Sequence, residues 1–423
     1  SQSFTVDKTA PDTDKMTVSY STPLKERILN AITFGYYKES VEVTIKAEDL
    51  TSGIDYLTWA YVKETGASNT NVAEKTEVIS RDALEFTEDG KTATGHFTLK
   101  ATETEQYRGS ISFTATDMAG NTSADKFDDG RISIVDTISP EVNITYKPAE
   151  TGTTLKAQVK RDTAEEITRE DKETADEETR FIYDGAVKAT IKTTEANFYT
   201  DDVIITVKKD GSEIWNGPVS SDKTIKDGDT TIAEFSDWTI DKENDTATCE
   251  IIMQADGDYE IGIDYTDSSS NDMNYSSDEY AEKNGTATYR SNIMTVDTTV
   301  PTVEVTYDNK DVNNASYYKA DRTATIRIKD RNFRPGEVNF VVTAKDVQEK
   351  ESDTYAYSQL TDWSDWHQTE DEDYTWEATV PFDEDANYDI SLGYTDLAGH
   401  SLEEDYSQSF TVDKTAPDTD KMT

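Results

Sequence analysis

Residues 1–17, SQSFTVDKTAPDTDKMT, recur unchanged as residues 407–423, so the chain returns to its own beginning after 406 residues. A folding constraint fixes pattern rather than every surface residue, and an identity of this kind points to a large block repeated in series. Inside the block runs a shorter, degenerate repeat: VDKTAP at 6–11, VDTISP at 135–140, VDTTVP at 296–301 and VDKTAP again at 412–417. Each later copy follows a segment that closes in an acidic turn, namely FTATDMAGN (113–121), IDYTDSSSN (263–271) and LGYTDLAGH (392–400). The spacing predicts three domains, 1–135, 136–296 and 297–412, with 413–423 opening the next copy of residues 7–17. Each is long enough to own a core.

The periodicity inside each unit is that of strands. VEVTIKA (41–47), LTWAYVK (57–63), VKATIKT (187–193), TATCEIIM (246–253), TATIRI (323–328) and WEATVPF (376–382) alternate apolar with polar or β-branched residues between Asp, Asn, Gly and Lys clusters. Such spacing predicts all-β antiparallel sandwiches. One stretch departs: DTAEEITREDKETADEET at 162–179 is charged and has no apolar stripe, which reads as a solvated loop or surface helix within an insertion at about 150–186.

The VDxTxP string, the VEVTY strand (303–307), the turns Glu195-Ala196-Asn197-Phe198 and Asp330-Arg331-Asn332-Phe333, and the closing YTDxAGN-type turn resemble the bacterial immunoglobulin-like repeats of large surface adhesins. The resemblance covers essentially the whole chain. It is weaker in the first unit, where the corresponding turn reads Glu48-Asp49-Leu50-Thr51-Ser52-Gly53. Ser268–Asn271 and His400 also depart from the closing pattern. It implies tandem immunoglobulin-like sandwiches in an extended rod, on the bacterial cell surface or outside the cell, and no enzyme.

Lys and Arg total 41 against 87 Asp and Glu, a net charge of −46. A field of that sign repels nucleic acid and anionic membranes. The chain holds no apolar run long enough to span a bilayer. Its one cysteine, Cys249, sits in a strand pattern and reads as a packed apolar residue. No Ser–His–Asp set or phosphate-cradling glycine loop is present, and paired acids are too many to single out a catalytic couple.

In a sandwich, the turn after the second strand and the turn before the last strand lie at the same end as the incoming linker. That predicts convergence of Asp7, Glu48, Asp49, Asp117 and Asn121 in the first unit. The second set is Asp136, Glu195, Asn197, Asp267 and Asn271, and the third Asp297, Asp330, Asn332 and Asp396; Asp413 opens a further set. Acids of the preceding unit's far turn join them on this reading: Glu103 or Glu105, then Asp256 or Asp258, then Asp383, Glu384 and Asp385. Several carboxylates with amide oxygens make the oxygen-only shell that suits Ca2+, and an ion there would stiffen the junctions. The competing reading is that these acids cap their own turns.

Trp363 in LTDWS matches Trp238 in FSDWT, a shared packing position, whereas Trp366 and His367 lack counterparts and are the candidate contact surface. Lys46, Lys192 and Lys329 would be the lysines of an isopeptide crosslink. The function expected is a stalk or shaft giving reach and stiffness. Its partners would be neighbouring copies of the repeat, other chains in a fibre, or a glycan or host protein. The alternatives are a ligand-binding adhesin module and a filament subunit joined by strand exchange.

Overall fold

The computed structural model describes residues 5–64, 75–102, 106–128, 130–160, 179–219, 223–277, 285–286, 288–310, 316–346, 357–417 and 419. Apart from short 3-10 turns, the regular structure in them is strand. No helix among them is long and apolar enough to cross a membrane.

The strands form three pairs of sheets, built from residues 17–135, 141–296 and 302–412. The third pair is the simplest. One sheet runs Thr302–Tyr307, Arg322–Lys329, Thr375–Phe382, His367–Gln368; its partner runs Tyr317–Tyr318, Tyr406–Val412, Ala386–Tyr394, Val338–Asp346. Alternation decides which face turns inward. In Ser40–Glu48, Val41, Val43, Ile45 and Ala47 are buried while Ser40, Glu42 and Lys46 face out. Each sheet pair has its own cluster, centred on residues such as Trp59 and Phe113, then Ile191 and Tyr259, then Phe382 and Phe410. The arrangement is sandwich-like, with apolar inner faces and charged outer ones.

Each unit's last strand lies parallel to a strand from its own beginning: Arg131–Val135 on Ile32–Tyr37, Ile293–Val296 on Thr179–Tyr183, and Tyr406–Val412 on Tyr317–Tyr318. In the first two units that early strand belongs to a hairpin, Lys25–Leu29 with Ile32–Tyr37 and Leu155–Lys160 with Thr179–Tyr183. The first hairpin turns through Asn30 and Ala31, both at positive φ (51° and 67°), as a two-residue turn compatible with the strands' twist requires. The insertion at 150–186 therefore contains a hairpin; its charged stretch 162–179 falls almost wholly on residues 161–178, outside the described ones.

The repeated valine meets different surroundings in its two copies: Val412 is fully buried in the closing strand Tyr406–Val412, whereas Val6 is 65% exposed. Lys46, Lys192 and Lys329 all lie on outward faces, and Lys329 Nζ donates to Glu372 Oε1 at 2.6 Å, so none is set in a core as an isopeptide lysine would be.

Candidate functional site

The incoming linker and two turns meet at one end of every sandwich. Asp136 follows the closing strand of the first unit, and its own N–H donates to Tyr37 O, which holds the linker in line with that strand. Glu195 follows Val187–Thr194 and Asp267 follows Gly257–Tyr265. One oxygen of each of Asp136, Glu195 and Asp267 lies within 4.8 Å of the others, and all three residues are buried. Asp7, Asp49 and Asp117 make the corresponding group in the first unit. In the third it is Asp297, Asp396 and His400.

Each acid uses one oxygen for its own turn. Asp49 Oδ1 accepts the N–H groups of Thr51, Ser52 and Gly53, at 2.7–3.0 Å. Asp117 Oδ1 accepts those of Ala119 and Asn121, and Asp267 Oδ1 those of Ser269 and Asn271, all at 2.8 Å. Glu195 Oε1 accepts Asn197 N–H at 2.6 Å. Turn capping and clustering thus coexist in the same side chains, because a carboxylate has lone pairs for both.

The electrostatic consequence is strongest in the second and third units. Burial pushes the Glu195 carboxyl well above its usual range, and the neighbouring Asp136 and Asp267 push it further. Burial likewise raises Asp136 and Asp297, Asp267 to about 6 and Asp330 to about 7. Three carboxylates desolvated together are costly as anions unless a proton or a cation joins them. Tyr265 Oη adds a buried hydroxyl with no hydrogen-bond partner among the described residues, beside the second group. Its counterpart Tyr394 donates to Asp330 Oδ2 at 2.6 Å. Asp330 therefore stands next to the third group rather than in it.

The asparagines play a different part from the expected oxygen ligands. Asn197 Nδ2 donates to Asp136 Oδ2 at 2.8 Å, while its Oδ1 accepts from Arg108 of the preceding unit. Asn332 repeats this, with Nδ2 to Asp297 Oδ2 at 2.5 Å and Oδ1 accepting from Arg180 at 2.7 Å. An arginine, an asparagine and a linker aspartate thus form a chain of hydrogen bonds across both internal junctions. The first junction adds Lys25 to Asp202 at 2.6 Å, Tyr36 Oη to Tyr199 Oη at 2.5 Å and Lys38 Nζ to Ser270 O at 2.8 Å; the second adds Arg331 to Asp210.

No family model matches the chain, and no curated protein matches it. Among solved structures it is similar to dimeric latent PorU from Porphyromonas gingivalis, at 11% identity and a TM-score of 0.17, over 94% of this chain and 34% of that one. The chain thus spans about a third of that structure's length, and a likeness so slight carries no argument.

Several expected residues take other places. Asp256 caps the next linker, accepting Thr298 N–H at 3.0 Å, and Asp385 does the same for Lys414 N–H at 2.9 Å, so neither joins a cluster. Asp258 pairs with Arg180 at 2.8 Å. Glu103 and Glu105 lie outside the described residues. Asp413 is exposed, accepts Thr415 N–H at 3.2 Å and joins none of the three groups. Trp366 is not a contact surface: it is buried, packs on Phe333 with ring centroids 4.9 Å apart, and donates from Nε1 to Leu360 O at 2.9 Å. His367 beside it is exposed, with Nε2 3.6 Å from Glu377. Trp238 and Trp363 do share one role, each packed on the phenylalanine of the second-strand turn, Phe198 or Phe333. The three histidines, His96, His367 and His400, are scattered in the sequence and suggest no metal set, yet the fold brings His400 to Asp297 and Asp396; the signal is its place four residues after Asp396, where Asn121 and Asn271 follow Asp117 and Asp267.

Proposed function

We propose that this chain is one period of the shaft of a bacterial surface adhesin or extracellular fibre. Its three immunoglobulin-like sandwiches would be joined end to end into a rod whose junctions are stiffened by Ca2+. The observation that carries the reading is the recurrence, at the incoming end of every unit, of one clustered set of side-chain donors that includes the linker aspartate. Buried carboxylates without a compensating charge favour a bound cation, and an oxygen shell favours a hard one. Asp7, Asp49 and Asp117 would hold it in the first unit and Asp136, Glu195 and Asp267 in the second, while the third unit's group, Asp297 and Asp396 with His400, would hold a divalent cation in the equivalent place. Because the linker aspartate belongs to both neighbours, the ion would resist bending there.

The first unit presents a bare apolar face at its incoming end. Leu50 and Met118 are 73% and 53% exposed at the end that carries Asp7, Asp49 and Asp117. At the equivalent place of the second unit, Ser268 is buried and accepts a hydrogen bond from Arg27 of the preceding unit at 3.0 Å. An array in series would cover the first unit's face in the same way.

The test is thermal unfolding with small-angle scattering, in excess Ca2+ and in chelator. The expected outcome is a higher melting temperature and a longer maximum dimension with Ca2+, both diminished by Asp136→Asn. Identical curves in the two conditions would remove the ion from the mechanism and leave the hydrogen-bonded junctions alone to stiffen the rod.

A further inference from the structure

The third cluster differs chemically from the other two. In the first and second units the residue four after the turn aspartate is an asparagine, and its Nδ2 donates to that aspartate's Oδ2 at 2.9 and 3.0 Å. An amide N–H has no lone pair to give a metal. At the same position the third unit has His400, whose Nδ1 lies 3.2 Å from Asp396 Oδ2 while its backbone N–H donates to Asp396 Oδ1 at 2.8 Å. The backbone turn is therefore the same, and only the side-chain donor has changed from an amide hydrogen to a ring nitrogen.

We propose that Asp297, Asp396 and His400 form a site for a borderline divalent transition metal of the Zn2+ class, distinct in selectivity from the oxygen-only groups of the other two units. Imidazole nitrogen suits Zn2+, Cu2+ and Ni2+, whereas carboxylate and carbonyl oxygen suit Ca2+. The spacing agrees: two ligands about 2.1 Å from one ion lie roughly 3.0–3.4 Å apart between right-angled and tetrahedral geometry. Nδ1 and Oδ2 are already at such a separation, and an oxygen of Asp297 is within 4.8 Å of its partners. Asp330, the remaining acid of this end, is occupied by Tyr394 and stands outside the donor set. Three protein donors leave a coordination position for water, and the His400 side chain, 22% exposed, gives the ion a way in. Ligation through Nδ1 uses that nitrogen's lone pair, which places the ring N–H at Nε2.

This inference rests on the reading of the junctions as cation sites but is tested separately from it. The full chain, stripped with chelator, is titrated with Zn2+ by calorimetry and with Co2+ by its visible absorption. His400→Asn restores the residue of the sister units, and its melting temperature in chelator checks that it folds. The wild type is expected to take up one equivalent that His400→Asn loses, with a Co2+ spectrum of mixed nitrogen and oxygen ligation. The double variant His96→Gln/His367→Gln is expected to keep that equivalent. Equal Zn2+ uptake by wild type and His400→Asn, or none by the wild type, would overturn the proposal. The Ca2+-dependent rise in melting temperature, measured on both proteins, reports on the junction reading independently of either result.

Discussion

Glu195 shows how a single side chain couples stability to solution conditions. Its carboxyl is pushed well above the ordinary range by burial and by two neighbouring carboxylates, so its neutral form fits the fold better than its anion. Stability from such a group is fully present below the unfolded carboxyl value, near 4, and is lost as pH rises through the folded value. Asp267 at about 6 and Asp330 at about 7 set the window, between roughly pH 4 and 7. The metal-free protein is therefore expected to melt higher at pH 5 than at pH 7.5. Lower overall charge would act in the same direction, so the informative comparison is with Glu195→Gln, which keeps an acceptor for Asn197 N–H. In chelator at pH 7.5 the variant should be the more stable by about 1 kcal/mol, on a scale where one pKa unit is about 1.4 kcal/mol. Its middle domain should also respond less to acidification. Cys249, fully buried with its thiol pushed up to about 11, reports on that domain by alkylation when it opens.

At the scale of elements, the junctions depend on side chains that arrive from unrelated strands. Arg108 stands near the start of Tyr107–Asp117 and Arg180 in Thr179–Tyr183, yet both reach the asparagine of the next unit's turn. Asn197→Ala is expected to cut the link to Asp136 and leave both Arg108 and the aspartate without that partner. A buried polar group left unpaired costs about 1–3 kcal/mol. In a double-mutant cycle with Arg108→Gln the two changes should be strongly non-additive, and residual dipolar couplings should report a wider spread of angles between the first two units. Additive effects with unchanged couplings would mean that the hydrogen-bonded chain does not hold the junction. Much of this end was legible in the sequence. Alternation gave the strands, the VDxTxP string gave the linkers, and sandwich geometry brought Asp7, Asp49 and Asp117, or Asp136, Glu195 and Asp267, to one place. The arginine links were not legible, because Arg108 and Arg180 occupy non-equivalent positions and no repeat marks them. Asp256 and Asp385 differ from expectation for a related reason: they sit at the expected end, but the linker threonines and Lys414 offer nearer donors than the cluster does. Trp366 is buried rather than a contact surface because a short 3-10 turn, Trp363–Asp365, swings it inward onto Phe333, and local pattern carries no sign of that.

For the whole molecule, the net charge of −46 sets neighbouring units against one another, and exposed charges interact over a Debye length of about 8–10 Å at physiological salt. Each described junction opposes that repulsion with cationic side chains from the preceding unit, Lys25, Arg27 and Arg108 at the first and Arg180 at the second. If the chain is a period of an array, the first unit's bare end must be covered by the third unit of the copy before it. The linker there is already defined, since residues 407–417 repeat residues 1–11. Met118 makes that arrangement measurable. A chain of two periods, residues 1–406 followed by 1–423, contains two copies of Met118, one at a free end and one at the new junction. Oxidation by dilute peroxide, followed by mass spectrometry, should modify the free copy at the rate seen in the single period and leave the junction copy several-fold slower, because access governs the rate. Two equal rates would mean that the third unit does not seat on the first, and the periods would then be joined by a hinge rather than continued as a rod.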